Sequence, residues 1–169
     1  MMPEPASHPK VKRFINRLLN PFLFKLFLLY KLPLAFVARL KMAELSPNMA
    51  SVSIPYGWLT QNPFKSTYFA ALSMAAEMST GVLGLMALET AGAPVSFLVV
   101  GLKSDFTKKA TDLTTFTCQN GPMFFEAVAK TLSTGEPVSV EALSIGTNKA
   151  GEEVARFTIT WSMKRKKNQ

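Results

Sequence analysis

A chain of 169 residues that is 48% hydrophobic and 18% charged is long enough for one domain with a real core plus an appendage, and too apolar to be disordered. Its single cysteine, Cys118, excludes an internal disulfide and a cysteine-ligated zinc, and its apolar and small neighbours make it a core thiol. The single histidine, His8, lies among Pro3, Pro5 and Pro9, so the body of the protein offers no Ser-His-Asp or Cys-His nucleophile system, no His-ligated metal and no His general base. Carboxylates, hydroxyls and backbone amides are left for any chemistry, and no cofactor is expected.

The net charge of +8 is placed at the two ends. Between residues 10 and 41 every charged side chain is basic, namely Lys10, Lys12, Arg13, Arg17, Lys25, Lys31, Arg39 and Lys41, and the C-terminus adds Lys164, Arg165, Lys166 and Lys167. No RNA- or DNA-binding signature accompanies them, so nucleic acid is not an expected partner. On one continuous helix, Lys10, Arg13, Arg17, Lys25, Lys31 and Arg39 would share a sector of about 120°, a cationic amphipathic pattern. Pro21 and Pro33, however, each start a new helical segment after Asn20 and Leu32 and shift the phase. The apolar stretch 22–38 is interrupted by Lys25, Lys31 and Pro33 and falls short of the roughly 20 clean apolar residues of a membrane span. No small-residue cleavage site follows it, so a signal peptide is not expected. The segment either packs on the body or on another subunit, through Phe14, Leu18, Phe22, Leu26 and Phe27, or lies in a membrane interface with its lysines toward anionic headgroups. The expected organisation is a helical extension over 1–41, a body over 42–164 and a basic tail over 165–169. The expected location is the cytoplasm, with membrane association following from the interfacial alternative.

Residues 49–56 alternate, with Ala50, Val52 and Ile54 on one face and Ser51 and Ser53 on the other, which predicts a strand. A Pro, Gly and Asn cluster over 55–63 predicts a loop, followed by a helix over 66–88 that Ala91, Gly92 and Pro94 end. Strands are predicted over 95–106 and 111–118, with 107–110 as the turn between them. A short amphipathic helix over 122–132 stops near Gly135. Residues 137–145 and 154–163 then form a hairpin around Asn148, Lys149, Ala150 and Gly151. In its second arm Ala155, Phe157, Ile159, Trp161 and Met163 face one way and Arg156, Thr158, Thr160 and Ser162 the other. The class is α+β with an antiparallel sheet, without internal repeat or low-complexity tract.

The helix over 66–88 carries one charged residue, Glu77. An ionised carboxylate in an apolar setting is costly unless it is paired or used. At about 100° per residue, the positions within roughly 60° of Glu77 include Ser66, Ala70, Ser73, Thr80, Gly81 and Gly84, which are small or weakly polar. Such a stripe lets another body approach the carboxylate. The same stripe also suits a helix seated on a sheet, with Glu77 satisfied by backbone donors or a lysine.

The segment Asn62-Pro63-Phe64-Lys65-Ser66-Thr67-Tyr68-Phe69-Ala70, with Glu77 following, resembles the hotdog thioesterase pattern: an Asn, a Gly-Ser turn, His-Gly-Gly at the helix start, and an acid nine positions after the His. Asp105-Phe106-Thr107-Lys108-Lys109-Ala110-Thr111-Asp112-Leu113 resembles that family's hairpin, and the likeness is greatest to the hotdog branch described as domain of unknown function 4442. It implies a sheet wrapped around a long central helix, here with an extra N-terminal helical segment. It also implies hydrolysis of an acyl-CoA or acyl-carrier thioester in a site shared between two subunits. By this resemblance Glu77 is general base or nucleophile, and the amides of Phe69 and Ala70, at the positive end of the helix, hold the oxyanion. Asn62 and Ser66 orient the carbonyl or the water, Ser73 and Thr80 support the carboxylate, and Phe97, Leu98 and Phe116 line an acyl tunnel. Tyr68 stands at the His position, beside the substrate, and with no His the dehydratase chemistry of the fold is not expected. A non-catalytic acyl or lipid carrier and a structural dimerisation module stay open beside the thioesterase. A hotdog protomer leaves a sheet edge unpaired, so a homodimer or a dimer of dimers is expected.

Overall fold

The computed structural model describes residues 5–166. Prolines set the N-terminal architecture. After a short 3₁₀ turn at Pro5–Ser7, Pro9, Pro21 and Pro33 each take the first position of a helix, where a missing N–H costs nothing: α1 (Pro9–Leu19), α2 (Pro21–Lys31) and α3 (Pro33–Val37). Asn20 caps α2, its side-chain oxygen accepting from the N–H groups of Phe22 and Leu23 at 3.0 and 3.1 Å. Val11, Phe14 and Leu18 of α1 are buried, and Phe27 of α2 packs partly buried on the core. The expected packing through Phe22 and Leu26 is corrected. The cap at Asn20 resets the helix so that Phe24 and Leu28 turn inward, while Phe22 is 73% exposed and Leu26 40%.

The sheet begins at Lys41. Strand β1 (Lys41–Leu45) is irregular in pattern and bulged between Met42 and Glu44, and it pairs antiparallel with β2 (Ala50–Ile54). The remaining elements are α4 (Phe69–Leu88), β3 (Val95–Phe106), β4 (Thr114–Cys118), α5 (Gly121–Thr134), β5 (Val138–Thr147) and β6 (Glu153–Arg165). They form one six-stranded antiparallel sheet in the order β1-β2-β4-β5-β6-β3. The sheet wraps around α4, which packs on β2, β4, β5 and α5. This is the hotdog architecture. Among the described residues α4 is also the helix long and apolar enough to cross a bilayer, and most of it is enclosed as the core. Helix α5 ends at Gly135, whose φ of +76° is the left-handed stop that glycine accommodates.

Strands β3 and β4 are not paired across a turn, in contrast to the sequence expectation. The 12-residue β3 pairs instead with the 13-residue β6, in register from Val95 opposite Arg165 to Phe106 opposite Ala155, a longer ladder than the five residues of β4 can supply. Residues 107–113 therefore carry the chain across to β4, which pairs with β2 and β5. That leaves β1 and β3 as the two edges. Strand β2 is buried on both faces: Ser51 and Ser53, expected to face out, are covered, and the Ser51 hydroxyl bonds that of Thr117 at 2.9 Å.

The phase of α2 is directly measurable. Phe24→Ala should cost about 3–5 kcal/mol of unfolding free energy, as for a buried aromatic. Phe22→Ala should change it by no more than about 0.5 kcal/mol. Denaturant unfolding of the two variants checks the assignment.

Candidate active site

The site is framed by the loop that leads into α4. Asn62 organises it: its side-chain oxygen accepts from the N–H of Phe64 at 3.0 Å and of Ser66 at 3.2 Å, and its amide nitrogen lies 3.1 Å from the Ser66 hydroxyl. Lys65 stands where the resembled pattern has the Gly of its Gly-Ser turn, and its φ of +57° is the left-handed conformation that explains a glycine there. Next, Thr67 is tied to the carbonyl of Ala110 by both its N–H and its hydroxyl, at 2.7 and 3.0 Å, and the Tyr68 N–H donates to Thr60 at 2.7 Å. Asn62 and Ser66, expected to orient substrate or water, bond each other, and these bonds brace the loop that leads into α4.

Tyr68 is the N-cap residue, and it provides no side-chain acceptor to the helix. Ala71 and Leu72 donate to the Tyr68 carbonyl at 2.9 and 3.1 Å, but the N–H groups of Phe69 and Ala70 have no partner among the described residues. No acidic side chain occupies the first turn of α4. Two free donors at the positive end of a 20-residue helix make a site for developing negative charge. The rings of Tyr68 and Phe69 are exposed and stack edge-on, centroids 5.0 Å apart, so the bulk of both side chains swings outward.

A cleft of about 780 Å³ opens beside these amides. Asn62, Ser66, Tyr68 and Phe69 line one side, and Phe106, Lys108 and Lys109 the other. Sequence reasoning missed this second wall, because the segment carrying it was placed in a hairpin. Lys108 is held by Glu152 at 2.6 Å, and the Lys109 ammonium donates to the Phe64 carbonyl at 3.4 Å.

Glu77 lies seven residues beyond Ala70 on α4, about 10 Å along the axis. Its carboxylate has no hydrogen bond or ion pair among the described residues, and partial desolvation raises its carboxyl above its ordinary value although the side chain reaches solvent. Ser73 does not support it: its hydroxyl donates to the Phe69 carbonyl at 2.8 Å. The Thr80 hydroxyl donates to the Glu77 backbone carbonyl at 3.0 Å and accepts from the Trp161 indole N–H at 3.0 Å, so it too leaves the carboxylate unpartnered.

The small-residue stripe is divided. Beyond Glu77, Trp161 closes over Gly81, where an added Cβ would stand 3.0 Å from the indole, and Phe97 closes over Gly84. Phe97 stacks on Trp161 at 4.2 Å, and Phe116 is fully buried, edge-on to Phe157 at 5.5 Å. Neither lines the cleft; both seal the core. Before Glu77 the stripe is half-buried at Ala70 and Ser73, with no aromatic ring recorded over it, and Ser66 precedes the helix. Cys118 is buried and its thiol pushed up to about 11, mainly by burial, which keeps it out of any nucleophilic role.

A central helix wrapped by a curled antiparallel sheet defines a protein of the hotdog fold. The chain belongs to the family described as Domain of unknown function (DUF4442), whose model matches residues 21–163. No curated protein matches it in sequence. Several solved structures share its fold at low identity. A protein of unknown function from Pseudomonas aeruginosa, described as a probable thioesterase, is 18% identical with a TM-score of 0.69, covering 89% of this chain and 99% of its own. A protein of unknown function from Chlorobaculum tepidum is 11% identical with a TM-score of 0.73, covering 88% and 99%. A thioesterase from Haemophilus influenzae is 9% identical with a TM-score of 0.60, covering 83% and 88%.

Because Asn62 spends its side chain on the loop, Asn62→Ala should destabilise the protein by about 1–3 kcal/mol, the cost of leaving partly buried donors unpaired. Asn62→Asp, which keeps the accepting oxygen, should lose less. Thermal unfolding of the pair distinguishes a loop-positioning role from none, in which case both would melt with the parent.

Proposed function

We propose that this protein hydrolyses acyl thioesters, of coenzyme A or of an acyl carrier, in a site that two copies complete. The observation that carries this reading is the open half of α4. It presents two unpartnered N–H donors and an unpartnered carboxylate on one stripe, and no histidine or reactive thiol accompanies them. In the proposed step the Glu77 carboxylate takes a proton from water as the water oxygen adds to the thioester carbon. The oxyanion is held by the Phe69 and Ala70 amides. The C–S bond then breaks, and the thiolate leaves with the proton that Glu77 returns. Direct attack by Glu77, giving an anhydride that water opens, uses the same groups.

Edge strand β3 supports the paired site. It presents Leu98, Val100 and Leu102 to solvent, with Leu98 64% exposed, on a long unpaired ladder that invites a second copy. Joining two such edges about a two-fold axis would close the open half of α4 against the partner. The aromatic wall of the cleft and Lys109, which is in no ion pair among the described residues, suit an acyl thioester with an anionic carrier.

Acyl-CoA hydrolysis followed by released thiol, across a chain-length series, tests the reading. Glu77→Gln should lower the rate about 10²–10⁴-fold, the usual loss of a general base. The wild-type rate should fall on the acid side with a midpoint above the ordinary glutamate value of about 4.3, since the active form is the ionised one and its pKa is raised. The same shift has a stability sign. A carboxyl whose pKa is raised by folding favours the native state most below its unfolded pKa, and loses that contribution as the pH rises through the folded value. Glu77→Gln should therefore melt higher than wild type at neutral pH while losing activity. Unchanged hydrolysis in the variant contradicts the mechanism, and binding without hydrolysis in wild type makes the protein a carrier.

Sedimentation velocity at micromolar concentration should show a dimer or a dimer of dimers. Leu98→Lys with Leu102→Lys should shift it to monomer and remove activity together. A wild-type monomer would remove the shared site.

A further inference from the structure

Helix α2 is apolar almost all round yet gives the core few residues, Phe24 and Leu28 fully and Phe27 in part. At about 100° per residue, Phe22, Leu26, Leu29 and Tyr30 fall within a sector of roughly 100° on the side opposite Phe24 and Leu28. All four are exposed, Tyr30 at 75%, and α3 extends the surface with Leu34 at 76% and Val37 at 51%. Apolar surface of this extent marks an interaction site.

The charges around it specify the partner. Lys25, Lys31, Arg39 and Lys41 are exposed along the same segment, and no acidic residue occurs between positions 10 and 41. None of these cations is in an ion pair among the described residues. A two-fold contact between copies would set lysines against lysines with nothing to compensate, which disfavours self-association here. The face also lies at the β1 side of the sheet, where α2 packs on β1, whereas the unpaired apolar strand β3 forms the opposite edge.

From these observations we infer that the outer face of α2 and α3 docks on an anionic lipid bilayer. Phe22, Leu26, Leu29, Tyr30 and Leu34 enter the interface, and Lys25, at the border of the α2 sector, and Arg39, just beyond α3, meet the headgroups. Aromatic and aliphatic side chains at the acyl boundary, with long cationic side chains reaching phosphate, are the composition that holds a helix in that plane. Anionic lipid adds an attraction for each nearby Lys or Arg that salt weakens. The helix is already folded and held on the body by Phe24 and Leu28, so binding does not have to order it.

The test is co-sedimentation of the full chain with vesicles of phosphatidylcholine alone, and with vesicles containing about 30% phosphatidylglycerol, at low and high salt. Wild type should bind the anionic vesicles in preference to the neutral ones and be weakened by salt. The variant Phe22→Ser, Leu26→Ser, Tyr30→Ser and the variant Lys25→Gln, Arg39→Gln should each lose roughly tenfold or more in affinity. Their melting temperatures and sedimentation mass should stay at wild-type values, since every substituted side chain is exposed. Three results would overturn the inference: wild type failing to bind anionic vesicles, the serine variant binding them as well as wild type, or the serine variant losing mass in sedimentation, which would make the face an interface between copies. None of these readouts needs turnover, so they stand apart from the hydrolysis assays.

Discussion

The seal that Trp161 and Phe97 make over α4 fixes the rest of the molecule. Rings can lie against a helix this closely only where the helix has no side chains in the way, and Gly81 provides that space under Trp161 and Gly84 under Phe97. The Trp161 indole N–H, which would be costly to bury alone, is satisfied by the Thr80 hydroxyl. Phe97 stacks on the outer face of the indole and is braced edge-on by Phe124 of α5, so β3, β6, α4 and α5 meet at one contact. On the stripe that carries Glu77 this cover ends at Gly81, while the other faces of α4 are buried along its length, from Ala71 to Ala87. Glu77, one turn before Gly81, stands where the closed half gives way to the open one. There it is partly desolvated without being enclosed, which is why its carboxyl is raised and yet reaches water.

The unpartnered amides at the start of α4 follow from an omission. A Ser, Asp or Asn at the N-cap would have satisfied the first-turn amides, and Tyr68 cannot. The helix start is held instead from outside, by Asn62 in the loop and by Thr67 on Ala110, which fix the backbone while leaving the Phe69 and Ala70 donors free. Phe69 stands where the resembled pattern has a glycine, and its exposed ring lies edge-on to Tyr68 at the wall of the cleft.

What the sequence made legible was local. Prolines at the first helical positions, the left-handed stop at Gly135 and the strict alternation of β6 each follow from neighbours within a few residues, and the structure agrees with them. The motif from Asn62 to Glu77 was legible for the same reason, and it carried the fold. Long-range choices were not legible. Strand β3 prefers the distant β6 over the nearby β4 because the two long strands match in length, and no periodicity within β3 announces its partner. The faces of α2 depend on a cap that resets the helix, and an apolar helix shows no stripe from which to read the inward side. The small-residue stripe on α4 reads as one groove until Trp161, about eighty positions away, covers half of it. Phe97 and Phe116 are apolar in either role, tunnel or core, and only their neighbours decide between the two.

A carboxylate that is unpaired, raised and open to water at the edge of the seal is the central claim, and a site-resolved titration of Glu77 tests it most directly. With ¹³C-labelled glutamate, and Glu77→Gln to assign the signal, the account predicts a titration midpoint above the ordinary glutamate value of about 4.3. It also predicts a shift in that resonance when a non-hydrolysable acyl-CoA thioether is added. A midpoint at or below the ordinary value, with no response to the thioether, would contradict it by showing a carboxylate that is either fully solvated or held in an ion pair.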